Sequence, residues 1–259
     1  MFDFTHAIVR TPAASVVDGL RAAKGDAPSH AAVLAEHESY IAALRRLGLS
    51  VEILPPVEAF PDSVFVEDPA LVFSEGAIAL RQAAPSRAGE TALLASTLER
   101  RFDQVLTMTG PGHADGGDVL VVGNKVVIGL SSRTDREGAE ELARLLDRLG
   151  KQTLIVSTPP GVLHFKTGCG LIDAETVFAL PQMVESEAFQ GLRVLPVPAG
   201  EAGAANVLRV RDRVLLGDEF PRGREAIEKL GIATDALPTR EIAKIDAGLS
   251  CMSLRWKQV

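Results

Sequence analysis

The 259-residue chain reads as a closed, five-bladed α/β propeller with its helices on the outside, and three observations predict this. A unit of hairpin, helix and single strand recurs along the chain. No one unit can bury its own apolar face, so the units must stack or arrange themselves in a ring. The two chain ends supply the halves of one further unit, and closure by the termini protects sheet edges in propeller-like folds. A doubly wound parallel sheet also alternates helix with strand, but no G-x-G-x-x-G or Walker loop supports it.

Residues 5–10 form a short strand ended by Pro12, and a loop over 22–28 reads as mobile. Apolar Val33, Leu34, Ile41, Leu44 and Leu47 fall at helical spacing and Gly48 stops the helix. A strand follows at 51–54, halted by Pro55-Pro56. The first full unit is a hairpin of 70–73 and 77–80, a helix over about 87–101 and a strand at 105–106. The second pairs 118–122 with 125–129 across Gly123-Asn124, then has a helix at 135–149 and a strand at 153–156. A worn copy runs through 170–173 and 176–179, a short helical stretch after Val184 and a strand at 192–195. The last pairs 206–210 with 213–216 across Arg211-Asp212, with a helix at 223–230 and a strand near Ile232-Ala233. Residues 252–256 pair with 5–10 to complete the ring, giving one domain over 1–259.

Composition narrows the function classes. The chain is 46% hydrophobic, enough for a sizeable core, and carries a net charge of -7 without a run of Lys or Arg. Nucleic acid and anionic membrane are therefore poor partners. No basic-then-apolar leader and no apolar run of membrane-spanning length is evident, so a cytoplasmic protein is expected. Two cysteines, Cys169 and Cys251, make neither a disulfide framework nor a paired metal-ligand motif.

The loops that lead into the hairpins converge on the axis of such a ring, and each holds a candidate group. They are Asp62, Glu67 and Asp68 before the first hairpin, Asp115 before the second, His164 before the third and Cys251 before the last. Each has a bland alternative: a buried cysteine, a structural histidine, a turn aspartate, a solvated strand end. Their joint placement at the unit heads weighs against all of these together. A thiolate nucleophile, a histidine acid/base and a carboxylate that orients it make a coherent set. Three further carboxylates are too many for an apolar stretch unless they meet a cation, and a planar guanidinium suits them. Cys169 is expected to pack in the core.

Three motifs carry a family resemblance: Phe60-Pro61-Asp62-Ser63-Val64-Phe65-Val66-Glu67-Asp68-Pro69, Leu163-His164-Phe165-Lys166-Thr167-Gly168, and Lys244-Ile245-Asp246-Ala247-Gly248-Leu249-Ser250-Cys251-Met252-Ser253-Leu254. The chain resembles the dimethylarginine dimethylaminohydrolases of the guanidino-group modifying superfamily, whose fold is the five-bladed α/β propeller called the pentein. The similarity runs almost end to end, through residues 5–10, Pro85-Ser86-Arg87 and Ala204-Ala205-Asn206. It implies Cys251 as nucleophile, His164 as general acid/base and Asp115 as the residue orienting His164. Asp62, Glu67 and Asp68 would bind the guanidinium with Phe65 packed nearby. Arg87 and Arg133 would hold an α-carboxylate, and the carbonyls of Leu20 and Ile245 an α-amine, with the loop after Leu20 as a lid. Two departures are Asp115, where some relatives carry Glu, and Ala247, where relatives often have Gly.

The activity so implied is hydrolysis of N-methylated arginines to citrulline, on a small-molecule substrate, with no metal and no other cofactor. A homodimer is an admissible assembly. Arginine deiminase, amidinotransferase, a non-catalytic pentein and a binding protein for free arginine derivatives are the competing readings. The first two are usually longer within this fold family, and non-catalytic penteins lack the Cys/His/acid set.

Overall fold

Fifteen strands pair into five separate three-stranded sheets, and all five share one topology in the computed structural model, which describes residues 1–22 and 25–258. In each sheet the middle strand runs antiparallel to the first and parallel to the third. The sheets are β3 (Ala70–Phe73), β4 (Gly76–Ala79) and β5 (Val105–Thr107), then β6 (Val119–Val122), β7 (Lys125–Leu130) and β8 (Gln152–Ser157). There follow β9 (Cys169–Leu171), β10 (Thr176–Ala179) and β11 (Arg193–Pro196), and β12 (Leu208–Val210), β13 (Arg213–Gly217) and β14 (Ala233–Leu237). The ring closes through the termini, where β15 (Leu254–Trp256) pairs antiparallel with β1 (His6–Arg10), with β2 (Ser50–Leu54) on its other side. This is the five-bladed α/β propeller the repeats predict.

A parallel return needs a crossover, and a helix supplies it in four of the five blades. These are α1 (His30–Arg46), α2 (Glu90–Arg101), α3 (Arg136–Arg148) and α4 (Pro221–Glu228). Helix α1 buries Val33, Tyr40, Ile41 and Leu44 against the sheets, the spacing of one helical face. Asp135 caps α3, its side chain accepting from Gly138 N at 2.7 Å. In the third blade the short helical stretch expected after Val184 is present, but as 3-10 rather than α-helix. Two 3-10 turns, Pro181–Met183 and Glu187–Phe189, make that crossover, because Pro181 and the intervening polar residues leave no apolar stripe long enough for three turns. A short α5 (Arg240–Ala243) precedes the last loop. The loop expected to be mobile over residues 22–28 includes Ala23 and Lys24, which lie outside the described residues.

Apolar burial forms a ring of clusters between neighbouring blades. Leu71 and Ile78 of one blade pack with Val126 and Ile128 of the next, and Leu120 and Val127 with Val177 and Phe178. Cys169 lies in that second cluster, 1% exposed, as expected. The first strands of all five sheets surround an axial cavity of about 330 Å³, to which Leu71, Val121, Leu171, Arg209 and Trp256 contribute. No described helix is long and apolar enough to cross a membrane.

The seam between the chain ends rests on Trp256. It is 3% exposed, stacks on His6 at 5.3 Å and packs against Phe102 at 5.0 Å. Trp256→Ala should therefore cost about 3–5 kcal/mol. Urea unfolding followed by circular dichroism measures this, and a loss under about 1 kcal/mol would show that the seam does not depend on the ring.

Candidate active site

Each sheet is entered by a loop that ends in a turn, and the five loops meet at one end of the axis. A 3-10 turn at Gly116–Asp118 leads into β6, one at Phe165–Thr167 into β9, one at Ala202–Ala205 into β12 and one at Leu249–Met252 into β15. Turns of the 60–69 segment lead into β3. Asp115, His164, Asn206, Cys251 and the Asp62–Asp68 carboxylates thus occupy equivalent places in five units.

Cys251 is clamped on both sides. Its carbonyl accepts from Glu67 N at 3.2 Å and its own N–H donates to Gly248 O at 3.2 Å. Asn206 Oδ1 accepts from Ser250 N at 3.1 Å, and Asn206 Nδ2 reaches Cys251 Sγ at 3.9 Å. Asn206 was absent from the residues singled out for chemistry. Its place immediately before a hairpin strand, matching the other four loops, is the signal that identifies it.

His164 donates from Nε2 to Asp115 Oδ2 at 3.3 Å. Its ring lies on the backbone of Gly117, where a Cβ would stand 2.8 Å from His164 Cγ and 2.9 Å from Asp68 Oδ1. Glycine is therefore required there for the histidine and Asp68 to approach each other. Behind them Asp118 ties the loops together. Its Oδ1 accepts from Phe165 N at 2.8 Å, and its Oδ2 from Ser131 Oγ and Thr134 Oγ1 at 2.7 Å each. Thr134 Oγ1 in turn accepts from Asp115 N at 3.1 Å.

The carboxylates meet cations, as burial requires, and those cations belong to the protein itself. Arg87 bonds Asp68 through Nη1, Glu90 Oε2 at 2.7 Å, and the carbonyls of Asp62 and Phe65 at 3.2 and 3.0 Å. Its side chain is 4% exposed. Its guanidinium is thus engaged by protein acceptors on all sides. Arg133 is more accessible, with its Nη1 4.0 Å from Asp115 Oδ2. Glu67 is also taken: Oε1 accepts from Lys166 at 2.5 Å and Arg255 at 3.3 Å, and Oε2 from Ser250 Oγ at 3.2 Å. Phe65 places its ring in the core with Val64.

Of Asp62, Glu67 and Asp68, Asp62 alone makes no ion pair among the described residues. Its Oδ1 accepts from Leu20 N at 3.0 Å, and burial raises its pKa despite Arg87 nearby. A Cβ on Gly19 would lie 3.2 Å from both Asp62 Oδ1 and Ile245 Cγ2, so the Leu20, Asp62 and Ile245 segments do come together.

Charge sets the protonation states. Burial alone would lower the His164 pKa, but the Asp68 charge, the Asp115 hydrogen bond and Asp118 outweigh it and raise it to about 9. His164 is therefore an imidazolium at neutral pH. Burial, then the charges of Glu67 and Asp68, push the Cys251 thiol up to about 12, against which Lys166 pulls weakly. Burial raises Asp118 to about 6. Among the described residues, Asp68, Asp115 and His164 are the one His/carboxylate group close enough to share a metal ion. The charges of Asp68 and Asp115 beside His164 make the arrangement a proton-holding cluster.

The family profile described as arginine deiminase matches residues 53–206. The N(G),N(G)-dimethylarginine dimethylaminohydrolase of Pseudomonas aeruginosa is 40% identical over 98% of this chain and 100% of its own length. Its counterpart in Streptomyces coelicolor is 31% identical over 98% of this chain and 97% of its own. The crystal structure of a Cys-to-Ser variant of the Pseudomonas enzyme with citrulline superposes with a TM-score of 0.95, covering 98% of this chain and 100% of that one. Matched over nearly its whole length in sequence and in fold, the chain belongs to the dimethylarginine dimethylaminohydrolase family of hydrolases.

Proposed function

We propose that the protein hydrolyses N-methylated arginines, asymmetric dimethylarginine and monomethylarginine, to citrulline and dimethylamine or methylamine through a covalent Cys251 intermediate. The observation that carries this reading is the meeting of Cys251, the His164–Asp115 pair and buried carboxylates at one end of the axis. The end-to-end likeness to enzymes named for this reaction supports it.

The resting thiol is protonated because carboxylates surround it. A guanidinium bound beside Asp62 and Asp68 offsets their charge, so the thiol proton leaves to solvent and the thiolate forms facing its target. Sγ attacks the guanidinium carbon. His164 gives its proton to the methylated nitrogen, which departs as the amine and leaves a thiouronium on Cys251. Neutral His164 then takes a proton from water as its oxygen attacks that carbon. Collapse expels the thiolate and releases citrulline. Asp115 holds His164 in place, Arg133 takes the substrate α-carboxylate, and the Leu20 and Ile245 carbonyls take its α-amine. Arg87 holds Asp68 and Glu90 in register, and Glu67 fixes the Ser250-Cys251 turn. Arginine deiminase is the second reading, favoured by the profile match over 53–206.

Citrulline release from asymmetric dimethylarginine, monomethylarginine and arginine tests the reading. The methylated substrates should exceed arginine by at least roughly tenfold in kcat/KM, because arginine leaves N–H donors unpaired against a site made for methyl groups. Arginine as best substrate, with ammonia released, would establish the deiminase instead. Cys251→Ser should fold and keep less than about a tenth of the rate.

The acidic form of His164 exists below its pKa of about 9 and is lost as pH rises through it. kcat should therefore fall on the alkaline side. Asp115→Asn should move that fall to lower pH by removing a carboxylate that favours the imidazolium. An unmoved alkaline limb would remove Asp115 from this role.

The two arginines should separate. Arg133→Ala should raise KM for α-amino-acid substrates by roughly tenfold or more while leaving stability close to wild type. Arg87→Ala strips the buried partner from Asp68 and Glu90 and should cost about 3–5 kcal/mol in denaturant unfolding. Equal effects of both on KM alone, with stability intact, would place Arg87 on the ligand instead.

A further inference from the structure

The axial cavity opens at the end of the ring opposite the catalytic loops. Cys251, His164 and Asp115 do not line it, and Glu67 and Ser250 are the residues it shares with the loops that hold Cys251. Its volume of about 330 Å³ falls in the range of small-molecule sites. Most lining residues are apolar, with Phe73, Val121, Leu171 and Trp256 contributed by four different blades, and the charged Lys151, Arg209 and Lys257 outnumber Asp3 and Glu75 there.

Its floor has the opposite character. There Lys166 and Arg255 converge on the single carboxylate of Glu67, their side chains 15% and 11% exposed. Both bond the same oxygen, Oε1, while Oε2 accepts from Ser250. Two half-buried cations thus face one carboxylate, in a chain whose net charge is -7. Arg255 Nη1 also donates to the carbonyls of Ser250 and Ser253 and to Ser253 Oγ, its buried Nε has no acceptor among the described residues, and Lys166 has donors beyond the one directed at Glu67. The floor therefore carries one positive charge in excess of its carboxylate. A guanidinium would be repelled from it. An apolar molecule ending in a carboxylate would complete it, with its body on the walls and its oxygens on Lys166.

We propose that this cavity is a second ligand site, separate from the catalytic one, for a small organic anion with an apolar body such as a medium-chain carboxylate. Because Glu67 donates its main-chain N–H to the Cys251 carbonyl, the occupied floor touches the segment that carries the nucleophile.

Trp256 is the chain's single tryptophan and lines the cavity, so its fluorescence reports occupancy directly. The probe is octanoate, titrated into the full chain, with octylammonium as the control of equal length and opposite charge. Octanoate should give a saturable, one-site change that L-citrulline at saturating concentration does not displace. Octylammonium should bind roughly tenfold more weakly or worse. Lys166→Met should weaken octanoate by roughly tenfold or more, the loss of one charge-assisted contact. Val121→Phe, which narrows the cavity without touching the floor, should weaken both probes. An absent or unsaturable response, equal binding of the two probes, displacement by citrulline, or full affinity in both variants would each overturn the proposal. None of these readings depends on turnover.

Discussion

The site depends on how a cluster of buried carboxylates is kept charged. Asp62, Glu67, Asp68, Asp115 and Asp118 are all drawn into one end of the ring, where isolated carboxylates would take up protons instead. Arg87 prevents this at Asp68, which stays ionised although burial opposes it. Ionised Asp68 lies against the same Gly117 that supports His164, and its charge is the largest favourable influence holding that imidazole protonated. One internal ion pair therefore bears on His164 across a single glycine.

The same field acts on the thiol. The carboxylates that hold His164 protonated also hold the Cys251 thiol protonated, near 12. In the proposed mechanism such a site is inert until a cation enters, and cationic substrate is both the target of the attack and the agent that releases the thiolate.

Propeller geometry explains why these groups converge at all. Five copies of one unit place five entering loops at one end of an axis, and each loop needs to contribute only one or two side chains. The first strands then line the axis beyond, where they enclose a cavity whose lining reaches Glu67, Lys166 and Arg255.

Much of this was legible in the chain. Hairpin periodicity, helical spacing in residues 30–47 and the complementary termini define the ring, since burying each blade's apolar face is a local and repetitive requirement. The heads of the hairpins named Cys251, His164, Asp115 and the carboxylate segment, because equivalent positions in a closed ring must converge. Asn206 stood at the remaining head and was passed over, since an amide before a strand reads as an ordinary turn. That the short helical stretch of the third blade is 3-10 follows from weak apolar patterning after Pro181, which spacing alone does not distinguish from a short α-helix. Partner choice was out of reach: that Arg87 joins Asp68 and Glu90, or that Lys166 and Arg255 share Glu67, depends on distances across as many as 188 residues. The amino-acid order thus determined the repeating architecture and the chemical types at its axis, because patterning and turn chemistry act locally. Tertiary structure alone decided which charges neutralise one another, because pairing and protonation depend on burial and on distances set only when the ring closes.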